Sequence, residues 1–198
     1  MIVHQEERVE TILVIPEGTT PVPDLAATFR WSEPGKGGQR YALESGARLR
    51  DGDEFTIELH ASTPMNVYII HFDSHGQVQD LMLAGGAGNQ MQAGERRKLP
   101  RDRPDGMPRH YYLDKNTGIE TIHFIVAARP LVDLMARYRQ GRLRRTDIDR
   151  IEHKGILVAP GKPEHQAAGK RDSGTMFACP IEREFCAQTF IIHHEARI

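Results

Sequence analysis

The 198 residues predict a mainly β fold, an antiparallel sandwich of immunoglobulin-like type with one or two helices inserted near 130–155. Three observations carry this expectation. Between Tyr41 and Pro130 the segments GDEF, NVYIIHFDSHGQV, AGERRKLP and GIETIHFIVAARP follow in series, each an apolar run bounded by Gly, Pro, Asp or Asn. Residues 53–60 alternate strictly, and residues 66–72 are apolar on both faces. After Pro130 the apolar spacing becomes helical.

The chain is 39% hydrophobic and 27% charged, the balance of an ordinary folded domain. Its length suits a β unit of about 100 residues with further elements packed around it. We therefore read a single domain over 1–198, with an N-terminal strand and covering loop at 1–40, a β core at 41–130, and a helix and C-terminal strand extension at 131–198. No apolar stretch approaches the roughly 20 residues of a membrane-spanning helix. The residues after Met1, IVHQEERVE, have neither the basic nor the apolar region of a secretory signal, an observation confined to this stretch.

Taken in order, ETILVI at 10–15 reads as a β-branched strand ending at Pro16-Glu17-Gly18. Residues 18–38 hold Pro21, Pro23, Pro34 and a GKGG tract, and read as a covering loop anchored by Phe29 and Trp31. In 53–60, Phe55, Ile57 and Leu59 share one face of a half-buried strand, with Thr56 and Glu58 on the other. In 66–72, Tyr68, Ile70 and Phe72 oppose Val67 and Ile69, which predicts a central strand covered on both sides. Asp73-Ser74-His75-Gly76 makes a hairpin turn, with Gly76 suited to a left-handed conformation. Residues 77–83 return as the partner strand.

The AGGAGN tract at 84–89 lacks the strand-to-helix junction of a phosphate loop. Short strands are expected at 96–99 and 110–113, on either side of a Pro-rich loop at 100–108. A turn at 114–118 leads into a strong strand at 119–127. Pro130 opens a helix carrying Leu131, Leu134, Met135 and Tyr138, which Gly141 stops. A second helix is expected from Thr146, with Asp147 and Asp149 complementing its dipole, to Gly155. A strand at 156–159, a polar stretch at 160–174 and a closing strand at 189–194 complete the chain.

Several residue groups carry candidate chemistry. His71, Asp73 and His75 form an HxDxH pattern that would align as metal ligands on a continuous strand. A turn at 73–76 breaks the alignment and leaves Asp73 bonded to its own backbone, so these three are weak metal candidates and no cofactor is assigned. Cys179 and Cys186 are disulfide candidates, drawn together if 187–192 runs back against 176–178 as a hairpin. His193 and His194 are adjacent on a strand and face opposite sides. Asp102, Asp105 and Asp114 fit no calcium or paired-carboxylate spacing and read as turn acids. Arg137, Arg142, Arg144 and Arg145 concentrate positive charge in a chain of net charge −1 and are candidates for an interaction surface. Without interleaved aromatics or a reader fold they do not point to nucleic acid. Contact with a membrane surface is a weaker expectation.

The order of these segments resembles the family called domain of unknown function 4384 over about residues 40–132. The resemblance rests on Gly52, Asp53, Val67, Tyr68, Phe72, Asp73, Gly76, Asn89, Ala93, Gly94, Leu99, Pro100, Gly118, Glu120 and Ala127. It departs at LMLAGG, where the family shows a Leu-aromatic-Pro-Asn ending, and it does not reach the C-terminal third. It implies an accessory β domain of bacterial envelope or signalling proteins, with no catalytic residues to carry over.

The leading expectation is therefore a non-catalytic protein-interaction or assembly module with a protein partner, its recognition surface built from the 84–108 loops and the 137–150 arginine face. The alternative is a metal- or thiol-dependent hydrolase using His71 and His75 or Cys179 and Cys186. A cell-envelope or periplasmic location is favoured over the cytoplasm, since structural disulfides belong to oxidising compartments.

Overall fold

The computed structural model describes residues 24–33, 40–148, 175–178 and 185–197. The strands expected at 10–15 and 156–159 and the polar stretch 160–174 lie outside them. In chain order the strands are β1 (Asp24–Ser32), β2 (Tyr41–Ala42), β3 (Ala47–Arg50), β4 (Glu54–Ala61), β5 (Met65–Phe72), β6 (Val78–Asp80), β7 (Gln90–Met91), β8 (Arg96–Leu99), β9 (Tyr111–Tyr112), β10 (Gly118–Ala127), β11 (Thr175–Ala178) and β12 (Phe185–Glu195). The helices are α1 (Leu81–Ala84) and α2 (Val132–Arg139), and residues 145–148 are also helical.

The fold is mainly β, with two sheets and few short helices. One sheet runs β11-β1-β4-β8, with β2 against β1 and β9 against β4. The other runs β3-β12-β10-β5-β6, with β7 against β5. It is mixed rather than antiparallel throughout, because β3 lies parallel to β12, with Ala47 opposite Ile192 and Arg50 opposite Glu195. That pairing joins an early strand to the last one, which no local hairpin dictates.

The apolar periodicities place the core where alternation predicts. Leu25, Ala27 and Phe29 of β1, Phe55, Ile57 and Leu59 of β4, Val67 and Ile69 of β5, Ile122, Phe124 and Val126 of β10, and Phe190 and Ile192 of β12 form one buried cluster between the sheets. Phe29 stacks on Phe190 at 4.1 Å between ring centroids and meets Phe124 edge-on at 5.3 Å, tying the two sheets together. The opposite face of β5 is covered as well. Tyr68, Ile70 and Phe72 pack with Ile125, Leu134, Met135, Leu143 and Ile148. Two tyrosines fasten α2 here: Leu131 N–H donates to Tyr68 Oη at 2.7 Å, and Asp80 N–H donates to Tyr138 Oη at 3.1 Å. Gly141, at φ +64°, follows the helix as expected.

Four expectations need correction. Residues 24–32 form a nine-residue strand rather than a covering loop. The prolines lie outside it, and the alternation of Leu25, Ala27 and Phe29 supplies a buried face. The return strand ends at Asp80, because the Asp80 carboxylate accepts from Met82 and Leu83 N–H at 2.9 and 3.3 Å and starts α1 at Leu81. The helix expected to be capped by Thr146 already contains Arg145, and Asp147 instead accepts from Arg144 N–H at 3.0 Å. Finally, β11 and β12 form no hairpin. β11 pairs with β1 and β12 with β10, in different sheets.

Candidate functional site

The inward-facing stripe of the mixed sheet changes character at one end. On β10 it runs Val126, Phe124, Ile122 and then Glu120; on β5 it runs Val67, Ile69 and then His71; on β12 it runs Phe190, Ile192 and then His194. Strand alternation therefore puts a carboxylate and two imidazoles where the core would otherwise continue. Glu120 and His194 are 3% and 4% exposed, and His71 is half-buried.

These groups form a chain. His71 Nε2 lies 2.7 Å from Glu120 Oε2, and a carboxylate only accepts, so the imidazole donates. His194 Nε2 lies 2.8 Å from Asp51 Oδ1 in the β3–β4 turn. His194 Nδ1 faces Glu120 Oε1 at 3.5 Å and has no hydrogen-bond partner among the described residues. The turn that presents Asp51 is itself fixed. Asp53 Oδ2 accepts from Arg50 N–H at 2.9 Å, Gly52 N–H donates to Leu113 O at 2.8 Å, and Arg197 pairs with Asp53.

Glu120, His71 and His194 floor a cleft of about 590 Å³. Phe55, Leu81, Tyr111 and Leu113 wall it, and Asp73, Arg109, Tyr112, Asp114 and Tyr138 border it. Tyr111 is held by donating its hydroxyl to Leu81 O. Burial, with the neighbouring Asp80 charge, drives the Tyr111 phenol far above its ordinary range, so it stays a neutral donor. The neighbouring Asp80 caps α1. Burial raises its carboxyl, against the lowering effect of N–H groups from Leu83, Asn89 and Met82. Asn89 also donates to Val67 O at 3.0 Å while Val67 N–H donates to Asn89 O at 2.7 Å, pinning the 84–89 loop to β5.

The HxDxH residues separate. His71 faces the cleft, Asp73 Oδ1 accepts from His75 and Gln77 N–H at 2.9 and 2.7 Å, and His75 is exposed beside Ser74. Gly76, at φ +80°, takes the expected left-handed turn position. Gly118 is required for a different reason: a side chain there would run into Ser74, whose hydroxyl donates to Thr117 O at 3.0 Å. Among the described residues no three metal-ligating side chains converge in a metal-holding arrangement.

The other candidates fall elsewhere. Cys186 is disulfide-bonded, so it offers no thiolate, and Cys179 lies outside the described residues. His193 is exposed while His194 is buried, as opposite faces require. Arg137 pairs with Asp147 at 2.9 Å. Arg145 donates to Thr121 Oγ1 and lies over the Phe72 ring at 5.9 Å, while Arg142 and Arg144 are exposed. Asp102, Asp105 and Asp114 serve turns, accepting from Arg109, Met107 and Asn116 N–H respectively. Lys98 at 2.5 Å holds the Asp102 carboxyl below its usual range. The missed members of the site are Asp51, Glu120 as a buried group, and His194. For Glu120 and His194 the signal was an ionisable residue in phase with an apolar stripe; Asp51, in a turn, carried none.

No curated protein and no solved structure matches the chain. A family model does, over residues 48–130, which run from β3 through β10 and include Asp51, His71 and Glu120 but not His194. β1 and β12, which complete the two sheets, lie outside the match. The chain thus carries, at residues 48–130, a domain of the family described as domain of unknown function (DUF4384).

Proposed function

We propose that this protein is a non-catalytic interaction or assembly module of a bacterial envelope or signalling system, and that the cleft over Glu120 is its recognition site. The observation that carries this reading is the cleft itself: a preformed concavity with aromatic walls, a few convergent polar groups on its floor, and Tyr112 71% exposed at its border. Binding sites are built in this way. Two residues of the expected 84–108 recognition loops, Ala84 and Pro100, contribute to it. Position 112 is the place to test it. A photo-crosslinking residue there is expected to give one reproducible adduct in the native host, absent when it replaces Val132, which is equally exposed and lies outside the cleft. Adducts of equal yield at both positions would count against the cleft.

The two-sheet arrangement fits an immunoglobulin-like sandwich. β1, β4 and β8 would correspond to one sheet, and β5, β10 and β12 to the other, with the parallel β3–β12 pairing in the manner of a first strand that crosses to the last. Such sandwiches present loops at their ends, where the cleft lies.

A hydrolase is the second reading, favoured only by the His71–Glu120 pair, which resembles an oriented general base. His75 and the bonded Cys186 add nothing to it. The disulfide supports an oxidising compartment such as the periplasm. Thiol counting on denatured protein prepared without reductant is expected to find no free cysteine; two free thiols would remove that support.

A further inference from the structure

The floor of the cleft holds a buried ring nitrogen without a hydrogen-bond partner among the described residues. His194 Nε2 lies 2.8 Å from Asp51 Oδ1, and its Nδ1 lies 3.5 Å from a second carboxylate oxygen, Glu120 Oε1. Nothing among the described residues donates to His194 Nδ1, although the side chain is only 1% exposed. A buried polar atom without a partner is costly, and it identifies a place where a ligand atom belongs. His71 lines the same cleft, with its Nε2 2.7 Å from the other oxygen of Glu120.

The surrounding charges select the donor. Glu120 lies at the floor, Asp51 touches it only through His194, and Asp73 and Asp114 lie at the border with Arg109 and His110, while Arg197 pairs with Asp53. The aromatic rings of Tyr111 and Tyr112 add faces that attract a cation. A group with several N–H donors and a positive charge satisfies both the buried acceptors and the field.

We propose that the cleft binds a primary ammonium, of the kind a lysine side chain of a partner presents, on the acceptors of His71, Glu120 and His194. The inference rests on the recognition reading and names the chemistry recognised. An ammonium entering from the cleft donates to Glu120 Oε1 beside His194 Nδ1, the buried nitrogen that has no hydrogen-bond partner among the described residues.

The test uses the full chain and two blocked pentapeptides, Gly-Gly-Lys-Gly-Gly and Gly-Gly-Glu-Gly-Gly, titrated at low salt with side-chain nitrogen NMR of the histidines. The lysine peptide is expected to bind saturably and shift His71 and His194, and the glutamate peptide is expected not to. Loss of a hydrogen bond to a charged group predicts roughly tenfold weaker binding for His71→Ala. Glu120→Gln keeps the shape, replaces an acceptor with a donor, and is expected to weaken binding to a similar degree, while Val132→Ala, at an exposed residue outside the cleft, has no effect. Binding of the glutamate peptide at the same histidines would overturn the ammonium assignment and leave a recognition cleft standing. No binding of the lysine peptide, or binding indifferent to both His71→Ala and Glu120→Gln, would overturn the assignment, with the crosslinking at position 112 deciding the cleft separately.

Discussion

The two ends of the same inward stripe make the most instructive comparison in this molecule. Along β5, β10 and β12 the sheet is filled by Val67, Ile69, Ile122, Phe124, Phe190 and Ile192, and then, without a change of face, by His71, Glu120 and His194. The apolar end needs no further explanation than burial, at about 25 cal/mol per Å² of apolar surface removed from water. The ionisable end is different. Taking charges out of water costs several kcal/mol per ion, which their mutual attraction repays only when geometry and hydrogen bonding are good. Here His194 Nδ1 has no hydrogen-bond partner among the described residues. Residues kept in such an arrangement at the floor of a cleft are better explained by what they bind than by what they stabilise.

The comparison breaks most visibly at the apolar end. Phe124→Ala removes the ring that meets Phe29 across the sheets and is expected to cost about 3–5 kcal/mol. Chemical denaturation measures it, and a loss under about 1 kcal/mol would mean that the sheets are not held by this layer.

At the ionisable end, Glu120→Ala strands the His71 imidazole, and breaking a buried pair from one side is expected to cost about 3 kcal/mol or more. The size resembles the Phe124 effect, but the origin differs, and replacement of the partners separates them. His71→Leu in the Glu120→Ala background should recover part of the loss, whereas no second truncation rescues Phe124→Ala.

A smaller effect is expected at Asp80, the buried carboxylate that caps α1. Its carboxyl is raised in the folded state by burial, so it contributes stability that is full below the unfolded carboxyl value and lost as pH rises through the folded one. Asp80→Asn keeps an acceptor for Met82 and Leu83 N–H while removing the titration. Denaturation midpoints of the wild type are then expected to fall relative to the variant as pH rises above about 4. Parallel curves for the two proteins would show that the carboxyl carries no such linkage.

Much of this was legible in the chain. The alternation of Phe55, Ile57 and Leu59, the two-faced run at Tyr68 to Phe72 and the helical spacing of Leu134 and Met135 specify their elements through local periodicity, and each sits as its pattern requires. β1 was hidden because flanking prolines and glycines gave its neighbourhood the composition of a loop. α1 was hidden because a four-residue helix has too few apolar positions to show a period, and its cause is one capping carboxylate. The parallel β3–β12 pairing is set by tertiary packing across the whole domain. The site was half visible: His71 stood out as part of a motif that proved to be a strand end and a turn. Glu120 and His194 were readable only by extending the inward phase of Phe124 and Phe190 along their strands, since nothing in their spacing links residues so far apart in sequence.

The most direct measurement pairs stability with binding in one variant. His71→Leu, Glu120→Leu and His194→Leu together continue the apolar stripe to the end of the strands. Replacing a buried ionic group with apolar side chains of similar volume is often neutral or stabilising by about 1–4 kcal/mol. The expected result is a protein as stable as the wild type or more so that no longer binds the lysine peptide. A variant destabilised by about 3 kcal/mol or more, or one that is stable and still binds the peptide, would contradict the conclusion that this end of the stripe is kept ionisable for recognition.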